Sequence, residues 1–315
     1  MECKICFRAD ASAQIGYGHF IRTLALADML RDNFDCVFFT SEPTPYQKEQ
    51  MEKVCRFVGL REESKFEDFL VNLDGTEIVV LDNYFFTTDY QRQIKARGCK
   101  LVCIDDIHDK HYVADVVVNH ALTDSGLFDC EPYTQLCLGF DYALLRAPFL
   151  KAIPQRQRNS SIVVNFGGAD PFGVTERIVT ILLELSIPYR VIVVLGDKIH
   201  LSEGNRQKVT VCRNLSAEQM AELFETSAAG ILSASTVCIE ALSRNLPLIV
   251  GYHVDNQNEI YHILAKTNMV QPLGLLQETS SGELSTALQN LKQSEPFQFP
   301  VGIKDRFIRI FNSLR

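Results

Sequence analysis

The densest run of reactive side chains lies near the start of the chain. Cys3-Lys4-Ile5-Cys6-Phe7-Arg8-Ala9-Asp10 passes from apolar residues into charge, and Gly16-Tyr17-Gly18-His19-Phe20-Ile21-Arg22 follows a loop of mostly small residues. The pattern reads as a strand, a tight turn and a helix N-terminus. Gly16 and Gly18 permit positive φ or close approach of a ligand to the backbone. A histidine at a helix start faces the positive end of the helix dipole, which disfavours imidazolium, so His19 is expected to be neutral and to serve as a general base. A lone histidine by default packs or caps; the surrounding residues are what favour catalysis. Arg8 and Arg22 each admit two readings, as holders of polar substrate groups or as partners of Asp10. No third glycine follows at dinucleotide spacing, so a nicotinamide cofactor is weakly supported.

Other candidates fall at the ends of apolar runs. These are Asp82-Asn83-Tyr84, Asp105-Asp106, Asn119-His120, Gly167-Gly168-Ala169-Asp170 and Ser233-Ala234-Ser235-Thr236. Chains turn at strand ends, so each cluster alone is unremarkable. Gly167-Gly168 before a helix suits a diphosphate, because backbone amides and a helix N-terminus attract anions. Ser235 and Thr236 supply a second helix start with hydroxyls, and Glu240 on its first turns is placed to accept from ribose hydroxyls; its alternative is a solvated helix acid. No lysine stands at P-loop spacing. His108 and His111 with Asp105, Asp106 and Asp109 share one hydrophilic loop, and a solvated loop is favoured over a metal site.

The elements that must position these groups alternate. Apolar runs at Cys36–Thr40, Ile78–Asp82, Leu101–Ile104 and Val116–Asn119 read as buried strands, and Phe20–Asp32, Pro45–Gly59 and Thr87–Arg97 as helices. The pattern pauses from Leu136 to Arg158 and restarts with a strand at Ser161–Phe166 and a helix from Phe172 to Leu185. Strands follow at Tyr189–Leu195, Val209–Cys212, Gly230–Leu232 and Leu246–Tyr252; Ser216 caps one helix and Asp255 another. The last thirty residues or so look helical and polar. Continuous apolar strands alternating with helices imply parallel sheets covered on both faces. The expectation is an α/β chain of two tandem Rossmann-like, doubly wound domains with an interdomain cleft, 1–150 and 151–315.

Composition narrows the partners. The 315 residues carry a net charge of −8 and no long basic run, which argues against nucleic acid. The ten cysteines fall singly, mostly in apolar runs, and read as small buried hydrophobes. Cys3 and Cys6 lie three apart on a strand and so face opposite sides. No signal peptide pattern and no run of membrane-spanning length is present. A cytoplasmic monomer that binds neither nucleic acid nor membrane, and uses no metal or cofactor, is expected.

From Cys6 to about Gln257 the chain resembles the UDP-2,4-diacetamido-2,4,6-trideoxy-β-L-altropyranose hydrolases of pseudaminic acid biosynthesis. The resemblance rests on Phe7-Arg8-Ala9-Asp10, Gln14-Ile15-Gly16-Tyr17-Gly18-His19 with Arg22, Leu81-Asp82-Asn83-Tyr84 and Asp105-Asp106. It continues through Tyr142-Ala143-Leu144-Leu145-Arg146 with Phe149, Gly167-Gly168-Ala169-Asp170, Ser233-Ala234-Ser235-Thr236 with Glu240, and Asn256-Gln257. It implies the two-domain fold of the B-type (GT-B) glycosyltransferases, related to the enzyme that makes lipid II. It implies that His19 activates water and that Tyr84 lies by the sugar. Gly168, Ser235, Thr236 and Glu240 would hold UDP, and Asn256 and Gln257 the sugar-phosphate end. Tyr17, Asp82, Arg146, Gly167 and Asp170 lie in the same motifs and are further candidate substrate contacts. Asn83 stands where a relative has His, and Ala169 where Thr is usual.

The expected reaction is attack of water on the anomeric carbon of a UDP-sugar, with inversion. His19 takes the proton, Asp10, Arg8 and Tyr84 orient the reactants, and helix N-termini stabilise the leaving UDP. A sugar transferase with an acceptor in place of water is the rival, and a silent nucleotide-sugar-binding protein a third reading.

Overall fold

The computed structural model describes residues 3–11, 16–121, 123–196, 198–291 and 297–315. Gln14 and Ile15 of the first motif lie outside them. The chain divides into two compact units. The first comprises the opening strand, Tyr17–Ala147 and Pro300–Arg315; the second spans Pro148–Phe299.

The first unit opens with β1 (Lys4–Ala9), α1 (Gly18–Leu30), β2 (Asp35–Ser41), α2 (Pro45–Glu52), β3 (Arg56–Leu60), α3 (Lys65–Leu70) and β4 (Ile78–Asp82). It continues with α4 (Thr88–Ala96), β5 (Lys100–Ile104), β6 (Val116–Asn119) and β7 (Gln135–Leu138). Its sheet runs β3-β2-β1-β4-β5-β6-β7 with every ladder parallel. Every residue of β4 and β6 is buried. That is why these strands are unbroken apolar runs rather than alternating ones. The helix α1 turns Phe20, Leu24, Ala27 and Leu30 into the core. It begins two residues earlier than the periodicity suggests, so His19 sits in its first turn.

The second unit repeats the plan with β8 (Ser161–Asn165), α5 (Val174–Glu184), β9 (Arg190–Leu195), α6 (Glu203–Arg206), β10 (Thr210–Arg213) and α7 (Ala217–Thr226). It proceeds through β11 (Ala229–Ser233), α8 (Thr236–Ser243), β12 (Leu248–Tyr252), α9 (Asn258–Ala265), β13 (Val270–Leu275) and α10 (Ser281–Asn290). The sheet order is β10-β9-β8-β11-β12-β13, again parallel throughout. In both sheets the first strand lies beside the fourth. The connections therefore leave in opposite directions from β1/β4 and from β8/β11, which are the topological switch points where α/β sheets bind ligands.

Three expectations need correction. The helix expected over Pro45–Gly59 stops at Glu52. Pro45 at its first position and the Thr44–Gln47 capping box start it firmly. Arg56–Leu60 instead pairs with β2 as an edge strand, exposed at Arg56 and Gly59, and so lacks a strongly apolar signature. Asp255 does not cap α9; it opens a 3₁₀ turn, and Gln257 takes the cap position. The second domain does not extend to residue 315. Helix α11 (Ile303–Ser313) packs on α1 of the first unit, with Phe34 and Phe311 edge to face at 6.1 Å and Lys304 paired to Asp32 at 2.8 Å. Its polar look conceals a stripe of Ile303, Phe307, Ile310 and Phe311, all buried. Full burial of each contributes roughly 1.5–3 kcal/mol.

All ten cysteines are free. Among the described residues no helix is long and apolar enough to cross a membrane.

Candidate functional site

At the switch point of the first unit, β1 ends at Asp10 and β4 at Asp82, while α1 begins between them in sequence. The two strand ends are pinned together by Asn83, whose Oδ1 accepts the Asp10 amide at 2.7 Å and whose Nδ2 donates to the Asp10 carbonyl at 3.3 Å. Asn83 thereby has a structural role.

Asp82 is 1 % exposed and is the hub of the site. Its Oδ1 lies 2.7 Å from His19 Nδ1 and accepts Arg22 Nη2 at 2.6 Å. Its Oδ2 accepts Arg22 Nε at 2.7 Å and the Thr23 hydroxyl at 2.8 Å. Burial alone would push the Asp82 carboxyl up, but the charges and hydrogen bonds of Arg22 and His19 outweigh it and hold it well below the usual carboxylate range. An ionised carboxylate can only accept, so neutral His19 must carry its proton on Nδ1. Nε2 then keeps its lone pair, and among the described residues no hydrogen bond reaches it. A carboxylate that fixes the tautomer and orientation of a base is the arrangement found behind catalytic histidines.

Two further groups complete the surroundings of His19. The Tyr84 ring meets the imidazole edge to face, centroids 4.6 Å apart at 83°. Its hydroxyl donates to Asp106 Oδ2 at 3.1 Å, and the same oxygen accepts Arg22 Nη1 at 2.8 Å. Burial alone would lower the Arg22 guanidinium, but Asp106 and Asp82 raise it well above its usual range. His120, at the end of β6, is 2 % exposed, and neither ring nitrogen has a hydrogen-bond partner. Burial, reinforced by Arg22, pushes it down to about 4, so it stays neutral beside the cluster.

Of the two readings open for the arginines, Arg8 takes the pairing with Asp10, whereas Arg22 pairs with Asp82 and Asp106 rather than with Asp10. Arg8 is wholly buried and forms a two-pronged pair with Asp10, Nη2 to Oδ2 at 2.8 Å, while Phe86 lies 5.5 Å from its guanidinium. Asp10 also accepts the Ser41 amide at 2.7 Å and lies 3.3 Å from Lys65 Nζ. Burial would raise the Asp10 carboxyl, but Arg8, Ser41 and Lys65 hold it below its usual range. These two residues form a buried ion pair on the β2 side of β1. Asp82 and Arg22 likewise pair with one another and with His19. Asp106 and His120 belong to the site although neither was singled out from the sequence as catalytic or substrate-binding; both stand at strand ends, and Asp106 also lies in the Asp105-Asp106 motif.

At the switch point of the second unit, the two helix starts differ. Asp170 accepts the Val174 and Thr175 amides at 2.9 and 2.8 Å and so occupies the N-terminus of α5. Its expected role as a substrate contact is replaced by a capping one, and α5 cannot also offer those amides to a diphosphate. By contrast, Ser235, the N-cap of α8, makes no side-chain cap, and Ser235 and Thr236 are half-buried and accessible. Of the two helix starts, that of α8 is the one whose N-cap side chain leaves the first-turn amides uncapped. Gly167 adopts φ +95, and the loop runs so close to β9 that a Cβ on Gly196 would stand 2.4 Å from the Gly168 carbonyl oxygen. Gly168 itself is exposed.

Glu240 is 2 % exposed, which removes the reading as a solvated helix acid. Gln257 is buried and accepts the His253 amide at 3.0 Å, whereas Asn256 is exposed. Arg146 is half-buried beyond β7. Gly16 and Tyr17 are half-buried and Gly18 exposed at the start of α1, with Tyr17 edge to face on Tyr46 at 5.7 Å. His111 spans Asp129 and Glu131 at 2.8 and 3.3 Å, and no group of three or more metal-ligating side chains is assembled among the described residues.

Known proteins bear on these units in three ways. No family model matches the chain. Two curated proteins are each 28 % identical over 283 residues. One is an uncharacterised Methanocaldococcus jannaschii protein, matched over 82 % of this chain and 57 % of its own length. The chain thus spans little more than half of that relative. The other is the UDP-2,4-diacetamido-2,4,6-trideoxy-β-L-altropyranose hydrolase of Campylobacter jejuni, matched over 84 % of this chain and 96 % of its own length. Among solved structures, Acinetobacter baumannii MurG superposes with a TM-score of 0.66 at 11 % identity, covering 99 % of both chains. A Polygonum tinctorium UDP-glucosyltransferase capable of glucosylating indoxyl gives 0.66 at 12 % identity, over 100 % of this chain and 93 % of that one. The chain is therefore built of two Rossmann-like α/β units of the GT-B type, and it is related in sequence to a UDP-sugar hydrolase.

Proposed function

We propose that the chain is a nucleotide-sugar hydrolase that cleaves a UDP-linked 2,4-diacetamido-2,4,6-trideoxy sugar at its anomeric carbon. The observation that carries this reading is the His19–Asp82 pair, 2.7 Å apart, with Nε2 left as an acceptor. Water hydrogen-bonded to Nε2 loses a proton to it as its oxygen attacks the anomeric carbon. The bond from that carbon to the β-phosphate oxygen breaks, and UDP leaves with the electron pair. A single displacement inverts the anomeric centre. The second unit holds UDP, with the amides and hydroxyls at the start of α8 meeting the negative charge of the leaving diphosphate. Glu240, Gly167, Gly168 and Asn256 are the further nucleotide-side candidates, and Gly16, Tyr17, Gly18, Tyr84 and Arg146 the sugar-side ones. This chemistry asks for no metal or cofactor. The relationship to the Campylobacter hydrolase over nearly its full length supports the sugar.

Glycosyl transfer is the second reading, supported by the likeness of the fold to MurG and to plant glucosyltransferases. There an acceptor hydroxyl takes the place of water and gives its proton to the same Nε2. Incubating the UDP-sugar with protein, with and without candidate acceptors, separates the two. UDP release with free sugar of inverted configuration supports hydrolysis, and release only with an acceptor supports transfer.

A further inference from the structure

We infer that Asp106 is a positioning residue for His19, acting through Tyr84 and Arg22. Two routes start at Asp106 Oδ2 and end on the same imidazole. Along one, Oδ2 accepts the Tyr84 hydroxyl at 3.1 Å, and the Tyr84 ring stands edge-on to His19 at 4.6 Å. Along the other, Oδ2 accepts Arg22 Nη1 at 2.8 Å, and the remaining nitrogens of Arg22 hold Asp82, the partner of His19 Nδ1. Asp106 is 9 % exposed, and its other oxygen has no hydrogen-bond partner. Both tasks therefore fall to one atom.

Tyr84 is 37 % exposed, and its hydroxyl reaches back to Asp106 Oδ2. Arg22 meets Asp82 through Nε and Nη2, and Asp106 takes its remaining nitrogen, Nη1. Asp106 thus sets where the imidazole lies and which way its Nδ1–H points, without touching a substrate.

This rests on the reading of His19 as the base, so the test is made on His19 itself without any substrate. In the full chain labelled with ¹⁵N-histidine, the His19 resonances are identified by their loss in His19→Gln, and long-range ¹H–¹⁵N spectra report which ring nitrogen is protonated. An NOE between the His19 and Tyr84 rings reports their contact. Asp106→Asn is expected to abolish the NOE and to shift the His19 ring resonances. Tyr84→Phe, which removes only the anchoring hydroxyl and preserves the packing volume, is expected to lose the NOE while the Nδ1–H tautomer persists. Unchanged ring resonances with a retained NOE in folded Asp106→Asn overturn the inference, and a retained NOE in Tyr84→Phe overturns the Tyr84 route even where Asp106→Asn does not fold. Expected spectral changes in a protein that turns over no UDP-sugar would leave the positioning role standing and remove the hydrolase reading. With turnover, Asp106→Asn lowers kcat with little change in KM.

Discussion

His19 Nδ1 lies 2.7 Å from Asp82 Oδ1, and the carboxylate that receives it is also gripped by Arg22 through two nitrogens. Asp82 therefore has both a structural and a chemical task. Asp82→Asn preserves shape but removes the charge and turns one of the two accepting oxygens into a donor, so His19 Nδ1–H, Arg22 and Thr23 can no longer all be satisfied, and Arg22 keeps half its charge partners. Loss of one partner of a buried pair typically costs about 3–5 kcal/mol, and misorientation of a general base about 10²–10⁴-fold in rate. Chemical denaturation and steady-state UDP release should show both losses together. A variant that loses stability but keeps full kcat would separate Asp82 from the chemistry.

Arg8 and Asp10 should behave as structure alone. Arg8→Met leaves the Asp10 carboxylate with only Lys65 at 3.3 Å and backbone and hydroxyl donors. Stability should fall by about 3–5 kcal/mol, and adding Asp10→Asn should restore part of it, because the unpaired charge is then gone. A double-mutant cycle in urea measures this. KM for the UDP-sugar should be unchanged in every variant that folds; a selective rise in KM would return Arg8 to the substrate.

His120 predicts a pH dependence with a definite sign. Its folded-state value is pushed down from 6.5 to about 4 by burial and by Arg22. The unfolded chain therefore binds a proton that the folded chain refuses. The stabilisation is full above about pH 6.5 and is lost as pH falls toward 4, amounting to about 3 kcal/mol at most. The difference in unfolding free energy between wild type and His120→Gln should change over this window and level off above it. A difference that does not vary with pH would mean that His120 titrates as it does in an unfolded chain.

Asp170 and Ser235 should part company. Asp170→Ala uncaps α5 and should cost about 1 kcal/mol, with UDP affinity unaltered by calorimetry. Ser235→Ala at the open start of α8 should leave stability nearly unchanged but weaken UDP several-fold, the size of one hydrogen bond to a charged group. The reverse pattern would place the diphosphate at α5.

The parallel sheets were legible because buried strands such as β4 and β6 are apolar throughout, a signal that needs no partner to be read. The strand β3 and helix α11 were less so. The edge strand is half exposed, and the stripe of α11 is interrupted by charges. In the site, His19 could be picked out because glycines and cations surround it in sequence. Its real partners, Asp82, Tyr84 and Asp106, come from the ends of β4 and β5, and adjacency across a sheet leaves no mark in local spacing. For the same reason Arg8 and Arg22 stayed open in the sequence between substrate holders and partners of Asp10. A buried ion pair and a binding arginine have the same residue types, and only burial tells them apart. His120 carried no signal beyond its position.

The most direct measurement is the rate of UDP release from the diacetamido UDP-sugar by wild type and His19→Gln, without acceptor and with UDP affinity measured in parallel. The account predicts release in wild type with inversion at the anomeric carbon, a loss of about 100-fold or more in kcat for His19→Gln, and UDP affinities that agree. An unchanged rate in His19→Gln, or release that requires an acceptor, would contradict it.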